Sequence, residues 1–189
     1  MAKLKLGIIV GSNRRDSINR KLAQALAKLG GNAFEAKFIQ IDDVPIYNQD
    51  NEQPVPAPVA RMKAEIEASD ALLFVTPEHS RSIPAVLKNA IDWGSRPWGK
   101  TSWPGKSATV IGTANGAIST AVAQQHLKAV LNAQGLHVVG GEAYIQFKVE
   151  LIDAQGDVGD ESVRKFLKDF IDKFADFAAR FITRTAAAA

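Results

Sequence analysis

Across 189 residues the chain carries 23 basic and 20 acidic side chains, a formal charge of +3, and it is 46% hydrophobic and 23% charged. That suits one domain of ordinary globular composition; no apolar run approaches the roughly 20 residues of a membrane span, and the scattered basic residues speak against a nucleic-acid surface. The absence of cysteine excludes thiolate catalysis, disulfide exchange and cysteine-ligated metal sites, and with no signal-peptide core before Gly11 a cytoplasmic setting is expected.

The first element is an apolar, β-branched run, LKLGIIV (4–10), predicted to be a strand. Ile18, Leu22, Leu26 and Leu29 then follow at helical spacing, closed by Gly30-Gly31. EAKFIQI (35–41) predicts a second strand and the proline-rich QPVPAP (53–58) a surface loop. Val59, Met62 and Ile66 mark a second helix, ALLFVT (71–76) a third strand, and Val86, Leu87, Ala90 and Ile91 a third helix. A fourth strand is expected at SATVIGT (107–113), a helix through 121–131 and a fifth strand, HVVGGEAYIQ, over 137–146. Last comes a helix whose stripe is Val163, Phe166, Leu167, Phe170, Phe174, Phe177 and Phe181, a spacing that predicts packing on the sheet rather than an aromatic cofactor box. Nearly continuous apolar strands alternating with helices imply a doubly wound parallel sheet, buried on both faces, in one domain over 1–183 with a disordered tail at 184–189.

In such sheets ligands bind beyond the carboxyl ends of the strands. There, after the first strand, stands GSNRRDSIN: Gly11 permits a tight exit, Ser12 and Ser17 supply hydroxyls, Asn19 an amide, and a helix starting near Ser17 points free N–H groups into the loop. The loop lacks the GxGxxG of dinucleotide sites, the GxxxxGK[ST] of triphosphate sites and the cysteine of a low-molecular-weight phosphatase, and the acidic pair Asp42-Asp43 follows the second strand rather than the first. What remains is a loop that binds a phosphate without cleaving it, set against a plain N-cap serine with a solvated arginine. Two more loops, within 76–97 and 112–121, lie at the same edge, where backbone amides and small side chains suit a flat ring.

The pattern GSxRxxSxN (Gly11, Ser12, Arg14, Ser17, Asn19), followed by PExxRSIPxxLKNAIDW (Pro77 to Trp93), resembles the NAD(P)H-dependent FMN reductase family of flavodoxin-like proteins, which includes quinone, chromate and azo-dye reductases. The resemblance spans about residues 4–146 and implies a flavodoxin-like five-stranded sheet of order 2-1-3-4-5 with helices on both faces. It implies FMN as cofactor, with Ser12, Arg14, Ser17, Ile18 and Asn19 at its phosphate, Pro77, Glu78, His79 and Ser80 flanking the ring, and Thr113, Asn115 and Gly116 at the pyrimidine edge. It further implies NAD(P)H as reductant, quinones as acceptors with chromate, azo compounds or ferric complexes beside them, ping-pong kinetics, and a homodimer or homotetramer. Where the family has Tyr-Asn, this chain has His79-Ser80.

Further expectations attach to single residues. No metal is expected, since the three histidines lack ligand spacing. His79 stands where a proton donor to a reduced acceptor would sit, against the plainer reading of a loop histidine. Glu78 beside a flavin wants a cationic partner, with Arg81 and Arg96 the candidates. Arg96, together with Trp93 and Trp98, is expected at a subunit interface, pairing with Glu78 of either subunit, or at a substrate mouth. Arg14, Arg15 and Arg81 are candidates for the extra phosphate of NADPH. An electron-carrying flavodoxin and a reductase that releases reduced FMN stay open as alternatives.

Overall fold

The computed structural model describes residues 2–187, with side chains described through 182. Its elements are β1 (Leu4–Val10), α1 (Ile18–Leu29), β2 (Phe34–Phe38), α2 (Ala57–Glu67), β3 (Ala71–Val75), α3 (Ala85–Gly94), β4 (Ser107–Ala114), α4 (Ala121–Ala133), β5 (His137–Val138), β6 (Tyr144–Gln146) and α5 (Glu161–Ala187). The order across the sheet is β2-β1-β3-β4-β5, with β6 also paired to β4, and every pairing is parallel. This is the flavodoxin-like order, and it brings the loops after β1, β3 and β4 to one edge.

Side-chain alternation along the strands builds two cores. Leu6, Ile8, Leu73 and Ile111 pack under α1 and α5, while Ile9, Leu72, Phe74 and Val110 pack under α2, α3 and α4. At Gly112 an added Cβ would stand 2.0 Å from the Thr76 carbonyl oxygen, so only glycine lets β4 pass the loop after β3 this closely.

Several expectations are corrected. The strand expected at 137–146 is two strands: His137–Val138 pairs with Ser107–Ala108, and Tyr144–Gln146 pairs with Gly112–Ala114. Gly140-Gly141 interrupts the run, and Gly141 turns to a φ of 101°, a conformation that side chains resist. β2 is not buried on both faces; it is an edge strand whose residues 35–38 are exposed, and its Glu35 and Lys37 blunt that edge. Along α5 the fully buried line is Leu167, Ile171, Phe174 and Ala178, whereas Phe166, placed in the core stripe by its spacing, is 42% exposed. α5 extends through Ala187, and Ala188 and Ala189, the end of the expected tail, lie outside the described residues.

Among the described residues no helix is long and apolar enough to cross a membrane, and no group of three or more His, Asp or Glu is placed to hold a metal ion.

Candidate functional site

Loop 11–17 leaves β1 at Gly11, whose N–H donates to the Val75 carbonyl, and ends at Ser17, whose side-chain oxygen accepts from the Arg20 N–H at 3.2 Å as the cap of α1. One cap leaves most of the helix's first N–H groups unmet. The amides of Ser12, Asn13, Arg15, Ile18 and Asn19 have no acceptor among the described residues, and no acidic residue stands in the first turn. Ser17 accepts with its oxygen and keeps its O–H free to donate. Arg14 is exposed, with no side-chain partner among the described residues. The loop is thus a concave row of donors at the positive end of a helix dipole, which suits a phosphate.

The side chain of Asn19 is already committed. It donates from Nδ2 to the Thr113 carbonyl and accepts the Thr113 N–H at its Oδ1, both at 3.0 Å and buried. Thr113 spends its hydroxyl on the Ile145 carbonyl at 2.7 Å, which also accepts from the Ser119 hydroxyl at 2.7 Å. Asn19 therefore brings only its backbone amide to the loop, and Thr113 brings nothing free: this pair, with Ser119 and the carbonyl of β6, fastens α1 to β4 and fixes the loop after β4. That loop presents Asn115 and Gly116, exposed, with N–H groups lacking an acceptor among the described residues.

The loop after β3 is a tight hairpin. The N–H of His79 donates to the Ser82 carbonyl at 3.0 Å and Ser82 returns the bond to His79 at 2.9 Å. Between them Ser80 and Arg81 both have positive φ, 49° and 61°, the pattern of a type I′ turn made here without glycine or asparagine. His79, at the exposed end, has no side-chain partner among the described residues, while Ser82 meets Nδ1 of His126 on α4 at 3.2 Å.

Glu78, only 8% exposed, accepts from Arg81 at 2.9 Å with one oxygen and from the Ala123 N–H at 3.1 Å with the other. Ala123 lies in the first turn of α4, whose N-cap Thr120 makes no side-chain cap bond, so Glu78 caps α4 from another loop. Burial pushes its carboxyl upward, but the Ala123 N–H, the Arg81 guanidinium and the Val122 N–H together outweigh that and hold it below the usual carboxylate value.

Of the two arginines expected to pair with Glu78, only Arg81 does so within the chain. Arg96 lies 3.9 Å from Glu52 and over the Tyr47 ring, and Glu52 accepts the Tyr47 hydroxyl. Trp93 is buried, donating to the Pro45 carbonyl at 2.8 Å, and so walls neither a substrate mouth nor an interface; Trp98 is 87% exposed. The sequence offered no reason to single out Arg20 and Asp42, which line a cavity of about 200 Å³ between Ser12 and the end of β2. Ser119, Thr120 and Gln124 likewise went unnoticed, although polar residues opening a helix after a strand glycine were the available signal.

The chain matches the model of the family described as NADPH-dependent FMN reductase over residues 4–150. It is 46% identical to a 2-hydroxy-1,4-benzoquinone reductase of Burkholderia sp. over 173 residues, 91% of this chain and 94% of that one. A quinone reductase of Pseudomonas putida is 42% identical over 91% of this chain and 93% of its own. Among solved structures, the flavoenzyme NAD(P)H:(acceptor) oxidoreductase FerB of Paracoccus denitrificans superposes with a TM-score of 0.91 at 45% identity, covering 94% of this chain and 98% of that one. A WrbA-like flavodoxin of Agrobacterium tumefaciens, 17% identical with a TM-score of 0.61 over 95% of this chain and 99% of its own, shares the fold. With the loop motifs, the sheet order and these matches in agreement, the chain belongs to the NADPH-dependent FMN reductase family.

Proposed function

We propose that the protein is an NAD(P)H:quinone oxidoreductase whose FMN lies across the edge formed by the loops after β1, β3 and β4. FMN is the family's cofactor and NAD(P)H its reductant. The residues present fit the cofactor: the observation that carries the reading is the row of amides at Ser12, Asn13, Ile18 and Asn19, beside the Ser17 O–H and the Arg14 side chain, all open among the described residues. Those groups take the phosphate. The hairpin Pro77, Glu78, His79 and Ser80 walls the ring, and the N–H groups of Asn115 and Gly116 donate to its pyrimidine edge, where charge gathers on reduction. Thr113 and the Asn19 side chain work one step back, as the clamp that keeps the loops apart at a fixed distance.

The chemistry FMN supplies when bound is acceptance of a hydride from NAD(P)H and delivery of two electrons to an acceptor. Reductant and acceptor share one open cleft and enter it in turn, giving ping-pong kinetics. His79, exposed and without a side-chain partner among the described residues, is the candidate to hand a proton to a reduced acceptor. Compact electron-poor rings suit the cleft, so quinones are the main acceptors, with chromate, azo compounds and ferric complexes as slower ones. Trp98, exposed beside Arg96, is the anchor of a homodimer or homotetramer contact.

The test is the visible spectrum of the purified protein reconstituted with FMN and titrated anaerobically with NADPH. Bleaching within seconds, restored by adding a quinone, is expected. A bound flavin that stays oxidised makes the protein a carrier served by another reductase, and failure to bind FMN removes the proposal.

A further inference from the structure

The cavity of about 200 Å³ between Ser12 and the end of β2 has no part in the flavin reading. It exists because β2 stops short of its neighbour. The β1–β2 pairing ends at Ile8 and Phe38, with one further bond from the Ile39 N–H to the Ile8 carbonyl, while β1 runs on through Val10. The gap beside Val10 opens next to loop 11–17, which shares Ser12 with it, and α1 contributes Arg20. Arg20 and Asp42 both line this cavity, both are exposed, and neither has a side-chain partner among the described residues, so two opposite charges share one cavity without pairing with each other. Phe38 completes the lining; by strand alternation it lies on the same face of β2 as Phe34, which is buried in the core under α1, but it is itself 36% exposed.

Asp42 is the group that selects an occupant. A carboxylate beside a guanidinium and a row of open amides repels a simple anion, so a site for free phosphate gains nothing from it. It can only accept hydrogen bonds, and paired ribose hydroxyls are neutral donors that a carboxylate takes two at a time. We infer that this cavity binds the adenylate unit of a dinucleotide, with the phosphate on Arg20, the ribose hydroxyls on Asp42 and the base against Phe38. Size agrees: an apolar cavity of about 150 Å³ takes benzene, so this one admits a purine with part of its ribose and excludes a three-ring flavin. Two dinucleotides carry that unit. One is FAD taken in place of FMN, its chain continuing from the flavin phosphate past Ser12; the other is the reductant NAD(P)H. The inference rests on the proposed place of the flavin phosphate at loop 11–17.

The experiment titrates the apoprotein with FMN and with FAD by flavin absorbance, and the FMN-loaded protein with NADP⁺ and NAD⁺ by ligand-observed NMR, in wild type, Arg20→Ala and Asp42→Ala. Both side chains are exposed and make no bond among the described residues, so both variants are expected to melt as wild type does. With FAD as the source, each substitution weakens FAD about three- to tenfold, the worth of one hydrogen bond, and leaves FMN affinity unchanged. With the reductant as the source, both flavins bind as before and the nicotinamide dinucleotides weaken by that factor instead. Asp42→Ala carries the sign of the test. A surface that only collects anions binds them more tightly once the carboxylate is gone, so unchanged or tighter binding of FAD and of the nicotinamide dinucleotides in that variant overturns the inference. An Arg20→Ala that weakens FMN as much as FAD assigns the guanidinium to the flavin phosphate and overturns it as well. Wild type that binds neither flavin removes the proposed function together with this inference, whereas FMN binding with no response of either dinucleotide to the substitutions removes this inference alone.

Discussion

Two helices, α1 and α4, point their N-termini at the same edge of the sheet, and they are finished differently. α1 is capped by its own Ser17, which meets one N–H and leaves the neighbouring amides open. α4 has no cap of its own, and Glu78, 45 residues earlier in the chain, supplies a carboxylate to its first turn. Both ends carry the partial positive charge of a helix dipole. The α1 end keeps open amides, and the α4 end already holds the protein's own carboxylate. In the proposed reading the phosphate goes to the α1 end, and the loop after β4 presents neutral amides.

The largest effect should come from the bridge on which both ends depend. Asn19→Ala strips the Thr113 N–H and C=O of their partners in the interior, each worth about 1–3 kcal/mol when left unmet, for a loss of about 2–4 kcal/mol. The urea midpoint of the apoprotein measures it. A loss below about 1 kcal/mol would mean that water replaces the amide and that α1 and β4 are not held by this pair.

Glu78→Gln ranks next. It keeps the shape but removes the charge from the α4 end and from Arg81, and should cost about 1–2 kcal/mol near neutral pH. The pH dependence follows from the sign of the shift. The folded-state pKa lies below the usual glutamate value, so the carboxylate's stabilisation is present above that usual value and lost as pH falls through the lower, folded pKa. Unfolding curves of wild type and Glu78→Gln should therefore converge as the pH falls from the usual glutamate value through the lower, folded one. Parallel curves down to pH 3 would show that the carboxylate gains nothing from its place at α4.

Ser17→Ala breaks the comparison from the other side. The cap is worth about 1 kcal/mol, and the lost O–H should also weaken FMN binding several-fold, whereas Glu78→Gln should lower stability with a smaller change in FMN affinity. Fluorescence titration of the apoproteins with FMN separates the two. Equal losses of affinity would mean that the two helix ends are not divided between ligand and protein.

What the sequence disclosed divides along the same line. The α1 end was legible because everything it needs is local: a strand, a glycine, a serine cap and a helical stripe lie within residues 4–29. The strand order was legible through the motifs, and the apolar runs located β1, β3 and β4. The α4 end was not legible, since a carboxylate 45 residues away in the chain does the capping, and neither was the 94-residue span between Asn19 and Thr113, which ties the Asn19 side chain to the Thr113 backbone. Arg96 was assigned by the charge it could offer, while Tyr47 and Glu52, brought near by the loop after β2, decide where it goes. The split of the last strand was written in Gly140-Gly141, but a pair of glycines inside an apolar run gives no register until β4 is there to pair with.

The smallest expected effect is at Arg81, and it separates charge from backbone. Its side chain is 67% exposed, so its attraction to Glu78 is screened by water, and Glu78 keeps the amides of α4 in its absence. Arg81→Ala should then cost less than about 0.5 kcal/mol. The backbone works in the opposite direction: at a φ of 61° any side chain is strained, by about 1 kcal/mol, and alanine is strained as arginine is. Arg81→Gly relieves that strain, offset in part by the greater freedom glycine has in the unfolded chain, so it should melt at or slightly above wild type. An alanine variant that loses well over 0.5 kcal/mol would make Arg81 a necessary part of the α4 cap instead of an accessory to it, and a glycine variant that melts below the alanine variant would show that the turn gains nothing from relief at this position.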